Sequence, residues 1–124
     1  MNKSDQLVGK TALVTGGAAR LGAAIARHLH AAGAHVAVHY RQSDGPAKAL
    51  VDDLCAVHPD SASLVQGDLL DPASWPRLVE HCESVTGRLD VLVNNASTYY
   101  PTPVDQATIE QWDDLFGTNA RAPF

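Results

Sequence analysis

Short apolar runs alternate along this chain with longer stretches of helical period. Residues 11–15, 35–39, 63–66 and 89–93 have strand length, are rich in Val and Leu, and end near turn residues. They are the predicted strands one to four. Between the first two, Leu21, Ile25 and Leu29 recur every four residues with Ala24, His28 and Ala32 beside them, and Gly33 follows at a helix C-terminus. Ala47, Leu50, Val51, Leu54 and Val57 form a second helical stripe that must stop near Pro59. A third is expected to open on Asp71 as N-cap with Pro72 at the first helical position, and to carry Trp75, Leu78, Val79, Cys82 and Val85 on one face. Thr108-Ile109-Glu110-Gln111 has capping-box spacing and leads a fourth helix with Trp112, Leu115, Phe116 and Asn119.

Strands alternating with helices specify a parallel sheet with helices on its faces. Right-handed crossovers then give the order 3-2-1-4, the first half of a Rossmann-type, doubly wound α/β fold plus one strand. If 124 residues are the whole product, strand four lies at an edge unless another chain covers it, and an unpaired ladder with apolar faces promotes self-association, so a homo-oligomer is expected.

The glycine-rich turn carries the chemistry. Strand one runs directly into Thr15-Gly16-Gly17-Ala18-Ala19-Arg20-Leu21-Gly22, where the first helix begins. Glycine lets the backbone turn sharply and approach a pyrophosphate, whose charge is met by free N–H groups and the positive end of a helix. Such a string between a strand and a helix is far more specific than glycines alone. In this scheme the end of strand two meets the adenosine ribose, and an acid there would bind the 2′-hydroxyl of NAD. The sequence instead reads His39-Tyr40-Arg41-Gln42-Ser43. Arg41 and Ser43 suit a 2′-phosphate, so NADP(H) is the expected cofactor, against the simpler reading of Arg41 as a solvated loop residue. Asp68 follows strand three at the same sheet edge and is either an acceptor for the adenine amino group or a turn aspartate. Asn94-Asn95-Ala96-Ser97 closes strand four and either lines the cofactor or forms an Asx turn.

Composition narrows the field. The 124 residues are 45% hydrophobic and 19% charged, which is ample for a packed core, and a single domain is expected. A net charge of −5 without basic clusters argues against nucleic acid or anionic lipid as partner. No run approaches the roughly 20 apolar residues of a membrane span, and the first six residues lack the apolar core of a secretory signal; a cytoplasmic location is expected. Cys55 and Cys82 fall on helical stripes as reduced thiols, and no metal site is expected.

The string from Thr15 to Gly22 resembles the TGxxxGxG element of the short-chain dehydrogenase/reductase family, with Arg20 in place of the middle glycine. Asp68-Leu69 resembles the family's acid after strand three, Asn94-Asn95-Ala96-Ser97 its NNAG motif with serine for glycine, and Asn119 stands where the family keeps an asparagine in its fourth helix. Arg20, the His-Tyr-Arg-Gln-Ser segment and residues 94–103 together resemble the pteridine reductase branch, which reduces biopterins and folates with NADPH. The likeness covers nearly the whole chain, and residues 94–103 are its most branch-specific part.

The resemblance implies that Gly16, Arg20, Leu21, Gly22, His39, Tyr40, Arg41, Ser43, Asp68, Leu69, Asn95, Ala96 and Ser97 hold the cofactor. It implies that Tyr99 stacks a pterin against the nicotinamide, where the branch often has phenylalanine, while Arg20 and Ser97 bond to the pterin and cofactor phosphate. Tyr99 and Tyr100 as ordinary loop packing is the alternative. Asn119 would hold the active-site region and its proton-relay water. The family's Tyr-x-x-x-Lys proton donor is not in these residues: the lysines are Lys3, Lys10 and Lys48, and no tyrosine stands four positions before any of them. Residues 1–124 thus resemble an NADP(H)-binding Rossmann half-domain lacking the catalytic half. The expected function is an NADPH-dependent, pteridine reductase-like enzyme acting on a pterin or related carbonyl substrate. The alternatives are a non-catalytic NADP(H)-binding module or remnant, and a short-chain reductase of another carbonyl compound.

Overall fold

The structure, a computed structural model, describes residues 5–42 and 44–124. The elements are β1 (Thr11–Val14), α1 (Arg20–Ala31), β2 (His35–Tyr40), α2 (Asp44–Val57), β3 (Ala62–Gln66), α3 (Ser74–Thr86), β4 (Val91–Val93) and α4 (Ile109–Phe116). A five-residue π turn, Gly117–Arg121, continues α4. Every strand pair is parallel and the sheet order is β3-β2-β1-β4, as the alternation of elements requires. Ser43, an expected cofactor contact, lies outside the described residues.

Successive strand residues face opposite sides of a sheet, and this period divides the core into two layers. Ala12, Val14, Val36 and Val38 join Ala26 of α1 and Ala47, Leu50 and Leu54 of α2 on one side. Leu13, Ala37 and Val65 meet Leu78 and Cys82 of α3 on the other. Covering both faces is what a parallel sheet of apolar strands needs. Cys82 is buried and Cys55 half-buried, both as free thiols, and burial pushes the Cys82 thiol up. β4 lies at the sheet edge with Leu92 exposed, beside a small apolar hollow of about 110 Å³ that includes Leu13, Trp75, Leu78 and Pro123.

Three helices differ in detail from the periodicity. The buried face of α1 carries Gly22, Ala26 and His30, so the expected stripe is displaced by one residue: Leu21 is 67% exposed and Ala24 and His28 face solvent. The close approach of Gly22 to the preceding turn sets this rotation. The third helix begins at Ser74 rather than Pro72. Asp71 forms a turn instead of a cap, its Oδ1 accepting from the Ala73 amide at 3.0 Å, and Val79 and Val85 are exposed while Ser74, Leu78 and Cys82 are buried. The capping box of α4 is present, with Thr108 and Gln111 bonded reciprocally at 3.2 and 3.0 Å. However, α4 buries none of its own residues; Trp112 and Phe116 stack on each other at the surface, 4.1 Å between centroids. The helical ladder gives way at Gly117, where its carbonyl accepts from the Ala122 amide, so Asn119 does not continue the face of Trp112 and Phe116.

Neutral histidines tie together the amino-terminal edge of the sheet. His30 Nε2 lies 2.6 Å from Ser61 Oγ, and Ser63 Oγ stands between His35 Nε2 at 3.1 Å and His81 Nε2 at 2.9 Å. Burial lowers all three imidazoles below the ordinary 6.5. Above that pH both folded and unfolded chains are neutral here and stability is full; as pH falls below it, the unfolded chain takes up protons that the fold resists, and stability declines. The urea midpoint is therefore expected to hold at about pH 7.5 and to fall steadily towards about pH 5, before carboxylates titrate. A midpoint unchanged across that window would show that these contacts carry no such linkage.

Candidate functional site

At the carboxyl edge of the sheet, the turn between β1 and α1 borders a cleft of about 500 Å³. Gly16, Arg20, Leu21 and Gly22 form one wall, His39 and Arg41 come from the end of β2, Asp68 and Leu69 follow β3, and Asn95, Ala96 and Ser97 follow β4. Residues spread over more than seventy positions of sequence thus converge because four parallel strands end at one edge.

The turn is built around close backbone approach. Gly16 has φ +60, and a Cβ there would stand 3.0 Å from Ala96 Cα. Gly22 leaves no room at all: a Cβ would enter the Gly16 carbonyl oxygen and lie 2.5 Å from Asn95 Nδ2. Asn95 explains the second contact, since its Nδ2 donates to the carbonyls of both Thr15 and Gly16 at 3.0 Å. Thr15 Oγ1 accepts from the amides of Asn95 and Ala96 at 3.1 and 3.0 Å. The loop after β4 therefore locks the turn after β1.

Arg20 has φ 51, the left-handed conformation that favours glycine. The sequence departs from the glycine pattern where the backbone suits glycine, and arginine is held there at a cost of about 1 kcal/mol or more. The first intrahelical bond after the turn runs from the Ala23 amide to the Ala19 carbonyl at 3.2 Å. The amides of Arg20, Leu21 and Gly22 precede it, at the positive end of the helix.

The other expected residues divide. His39 is buried, and both its ring nitrogens are engaged: Nδ1 accepts from the Gly16 amide at 3.0 Å and Nε2 donates to the Gly67 carbonyl at 2.8 Å. Tyr40 packs against the core and is not on the cleft wall. Arg41 Nε faces Asp68 Oδ1 at 3.7 Å with both side chains about half exposed. Asp68 Oδ1 also accepts from the Leu70 amide at 3.0 Å, so this residue both forms a turn and borders the cleft. Tyr99 is 86% exposed and lies off the wall. Tyr100 takes the packing role instead, its hydroxyl donating to Asp114 Oδ2 at 2.8 Å, which raises its pKa. Asn119 reaches the cleft indirectly, pairing its Oδ1 with the Thr98 amide at 3.0 Å and its Nδ2 with the Thr98 carbonyl at 2.8 Å.

Gly67, Thr98 and Thr118 are site residues that periodicity does not single out; all three line the cleft, and Thr15, which opens the glycine string, braces it. Arg77 of α3 is another, sharing a polar hollow with Arg41, Gln42, Gln66 and Asp68 beside the cleft. Only the strand order, which seats α3 next to the end of β2, could have suggested it. Among the described residues, no helix is long and apolar enough to cross a membrane, and no cluster of three or more His, Cys, Asp or Glu is placed to hold a metal ion.

A parallel β3-β2-β1-β4 sheet with its glycine turn at the carboxyl edge is a partial Rossmann fold. The family model for short chain dehydrogenase matches residues 10–124. The chain belongs to the short-chain dehydrogenase/reductase family. It is 40% identical to pteridine reductase 1 of Leishmania tarentolae, across 91% of this chain and 50% of that protein. It is 36% identical to the hydroxynaphthalene reductase-like protein Arp2 of Metarhizium guizhouense, across 95% of this chain and 44% of that one. With the short-chain dehydrogenase/reductase FrzI of a Cladobotryum species it shares 34% identity, across 99% of this chain and 47% of that one. The chain spans about half the length of the curated relatives it matches.

Proposed function

We propose that residues 1–124 form the NADP(H)-binding half of a short-chain reductase whose substrate is a pterin or a related carbonyl compound. The observation that carries this reading is the cleft itself: a glycine turn too tight for a Cβ at Gly22, the amino end of α1, and Arg41 with no acid at the end of β2. The amides of Arg20, Leu21 and Gly22 hold the diphosphate, with the Arg20 guanidinium adding charge-assisted donors. Arg41, together with Ser43, binds the 2′-phosphate, and Asp68 accepts from the adenine amino group through its second oxygen. Asn95 and Ala96 border the nicotinamide side. Bound there, the dinucleotide supplies the hydride.

The pterin assignment rests on the run from Asn94 to Pro103 and on the name of the Leishmania relative. Ser97 and Arg20, both on the cleft wall, bond to the pterin, Asn119 holds the loop through Thr98, and Tyr99, exposed and off that wall, would have to turn inward to stack on the ring. A hydroxynaphthalene-type carbonyl substrate is the second reading, supported by the Arp2 relative. Residues 1–124 hold no Tyr-x-x-x-Lys pair, so binding of NADPH without turnover is the behaviour expected of these residues alone.

Arg41→Ala is expected to weaken NADPH about tenfold or more while changing NADH less than about twofold, because only NADPH presents the 2′-phosphate to the guanidinium. Titrations of both nucleotides against wild type and variant read this directly. Equal losses for both would remove Arg41 as the discriminating residue.

A further inference from the structure

We infer that His39 is a positioning residue for dinucleotide binding: a buried, neutral imidazole that clamps the glycine turn so that the first amides of α1 face the cleft. The inference rests on the reading of that cleft as a dinucleotide site. It departs from a direct cofactor contact, because both nitrogens of His39 are already engaged within the protein.

The geometry fixes the protonation state. A backbone N–H donates to Nδ1, so Nδ1 carries no proton; Nε2 faces the Gly67 carbonyl, so Nε2 carries one. Burial lowers the imidazole below its ordinary range, in keeping with a neutral ring. His39 also accepts the Gly17 amide on its own carbonyl at 3.0 Å. Two consecutive amides of the turn are thereby directed at β2 and away from the cleft. The Gly16 carbonyl is held from the other side by Asn95 Nδ2 at 3.0 Å. The peptide units flanking Gly16 are thus gripped from β2 and from the loop after β4, and the chain that leaves them enters α1 in a defined orientation. An aliphatic side chain at 39 would leave the Gly16 N–H and the Gly67 carbonyl without partners, freeing the turn to tilt. The charged neighbours on the same cleft, Arg20, Arg41 and Asp68, would be unchanged.

Substitutions separate the two bonds. Asparagine places a carbonyl oxygen near the position of Nδ1 and keeps an acceptor for Gly16; glutamine places an amide near Nε2 and keeps the donor to Gly67. NADPH titration of the 124-residue chain is expected to give His39→Asn within about threefold of wild type, with His39→Gln and His39→Leu weaker by about tenfold or more. Urea unfolding of the same variants measures the structural cost separately. Equal affinities for the Asn and Gln variants, with wild type binding normally, would overturn the role of His39 and leave the cleft assignment standing. Failure of wild type to bind any dinucleotide would overturn both. Should the Gln or Leu variant not fold, the ¹⁵N imidazole shifts of wild-type protein decide: an Nε2–H tautomer supports the clamp, and an Nδ1–H tautomer overturns it.

Discussion

Gly22→Ala is expected to abolish measurable dinucleotide binding and to lower the melting temperature by about 10 °C or more. The added methyl meets the Gly16 carbonyl oxygen and the Asn95 amide, and neither is the loose end of a flexible side chain. Overpacking of this kind costs about 1–3 kcal/mol, and displacing Asn95 also forfeits hydrogen bonds worth about 1 kcal/mol each. A total near 3 kcal/mol is a large share of the stability of a domain this size and corresponds to a shift of that order in melting temperature. Binding suffers further, because relief of the clash moves α1 away from the turn and carries its free amides out of register with the cleft. Gly45→Ala is the matched control. A Cβ there meets nothing within 4 Å, and alanine in the first turn of α2 should be neutral or slightly stabilising. Calorimetry and NADPH titration of the two variants are expected to diverge; parallel behaviour would mean that the packing of Gly22 does not govern the site.

Asn95 should be the next most sensitive position. Its side-chain amide donates to two carbonyls, those of Thr15 and Gly16, and so joins the loop after β4 to the turn after β1. Asn95→Ala removes both bonds and is expected to destabilise by about 2 kcal/mol and weaken NADPH about tenfold or more. Asn95→Asp should be worse near neutral pH. It sets an anionic acceptor against two carbonyl oxygens where the fold needs two donors, and it brings negative charge to the wall expected to hold a diphosphate. Acidification that protonates the new carboxyl restores a single donor, so the gap between the Asp and Ala variants should narrow at low pH in urea titrations. If Asp behaves as well as Asn near neutrality, the double donation is not what closes the turn.

The strand order and the place of the glycine turn were legible because they follow from alternation and handedness, which survive errors at element ends. Convergence on one cleft followed in turn, since Arg20, Arg41, Asp68 and Asn95 each stand at the carboxyl end of a strand or the start of a helix. What the pattern could not supply was rotation and register. Leu21 looked like the first residue of the apolar stripe of α1, but the fit of Gly22 beneath Gly16 turns the helix so that Leu21 faces solvent. His39 and Tyr40 are adjacent and equally plausible as cofactor contacts. Strand alternation sends one towards Gly16 and Gly67 and the other into the core, and only the register of β2 between β1 and β3 decides which. Asn119 was readable as an important asparagine, whereas its bond to Thr98 depends on a π turn that periodicity does not announce. The left-handed backbone of Arg20 had a trace in the sequence, an arginine standing where a glycine-rich turn would otherwise have glycine.

The opening amides of α1 are proposed to hold the diphosphate of NADP(H) while Arg41 reads its 2′-phosphate. A ¹H–¹⁵N correlation spectrum recorded through a titration with NADP⁺ addresses it most directly. Saturable shifts should be largest at the amides of Arg20, Leu21 and Gly22, with a further response at Arg41 that is missing when NAD⁺ is used. Saturable binding that leaves those three amides unmoved, or the absence of any saturable shift, would contradict it.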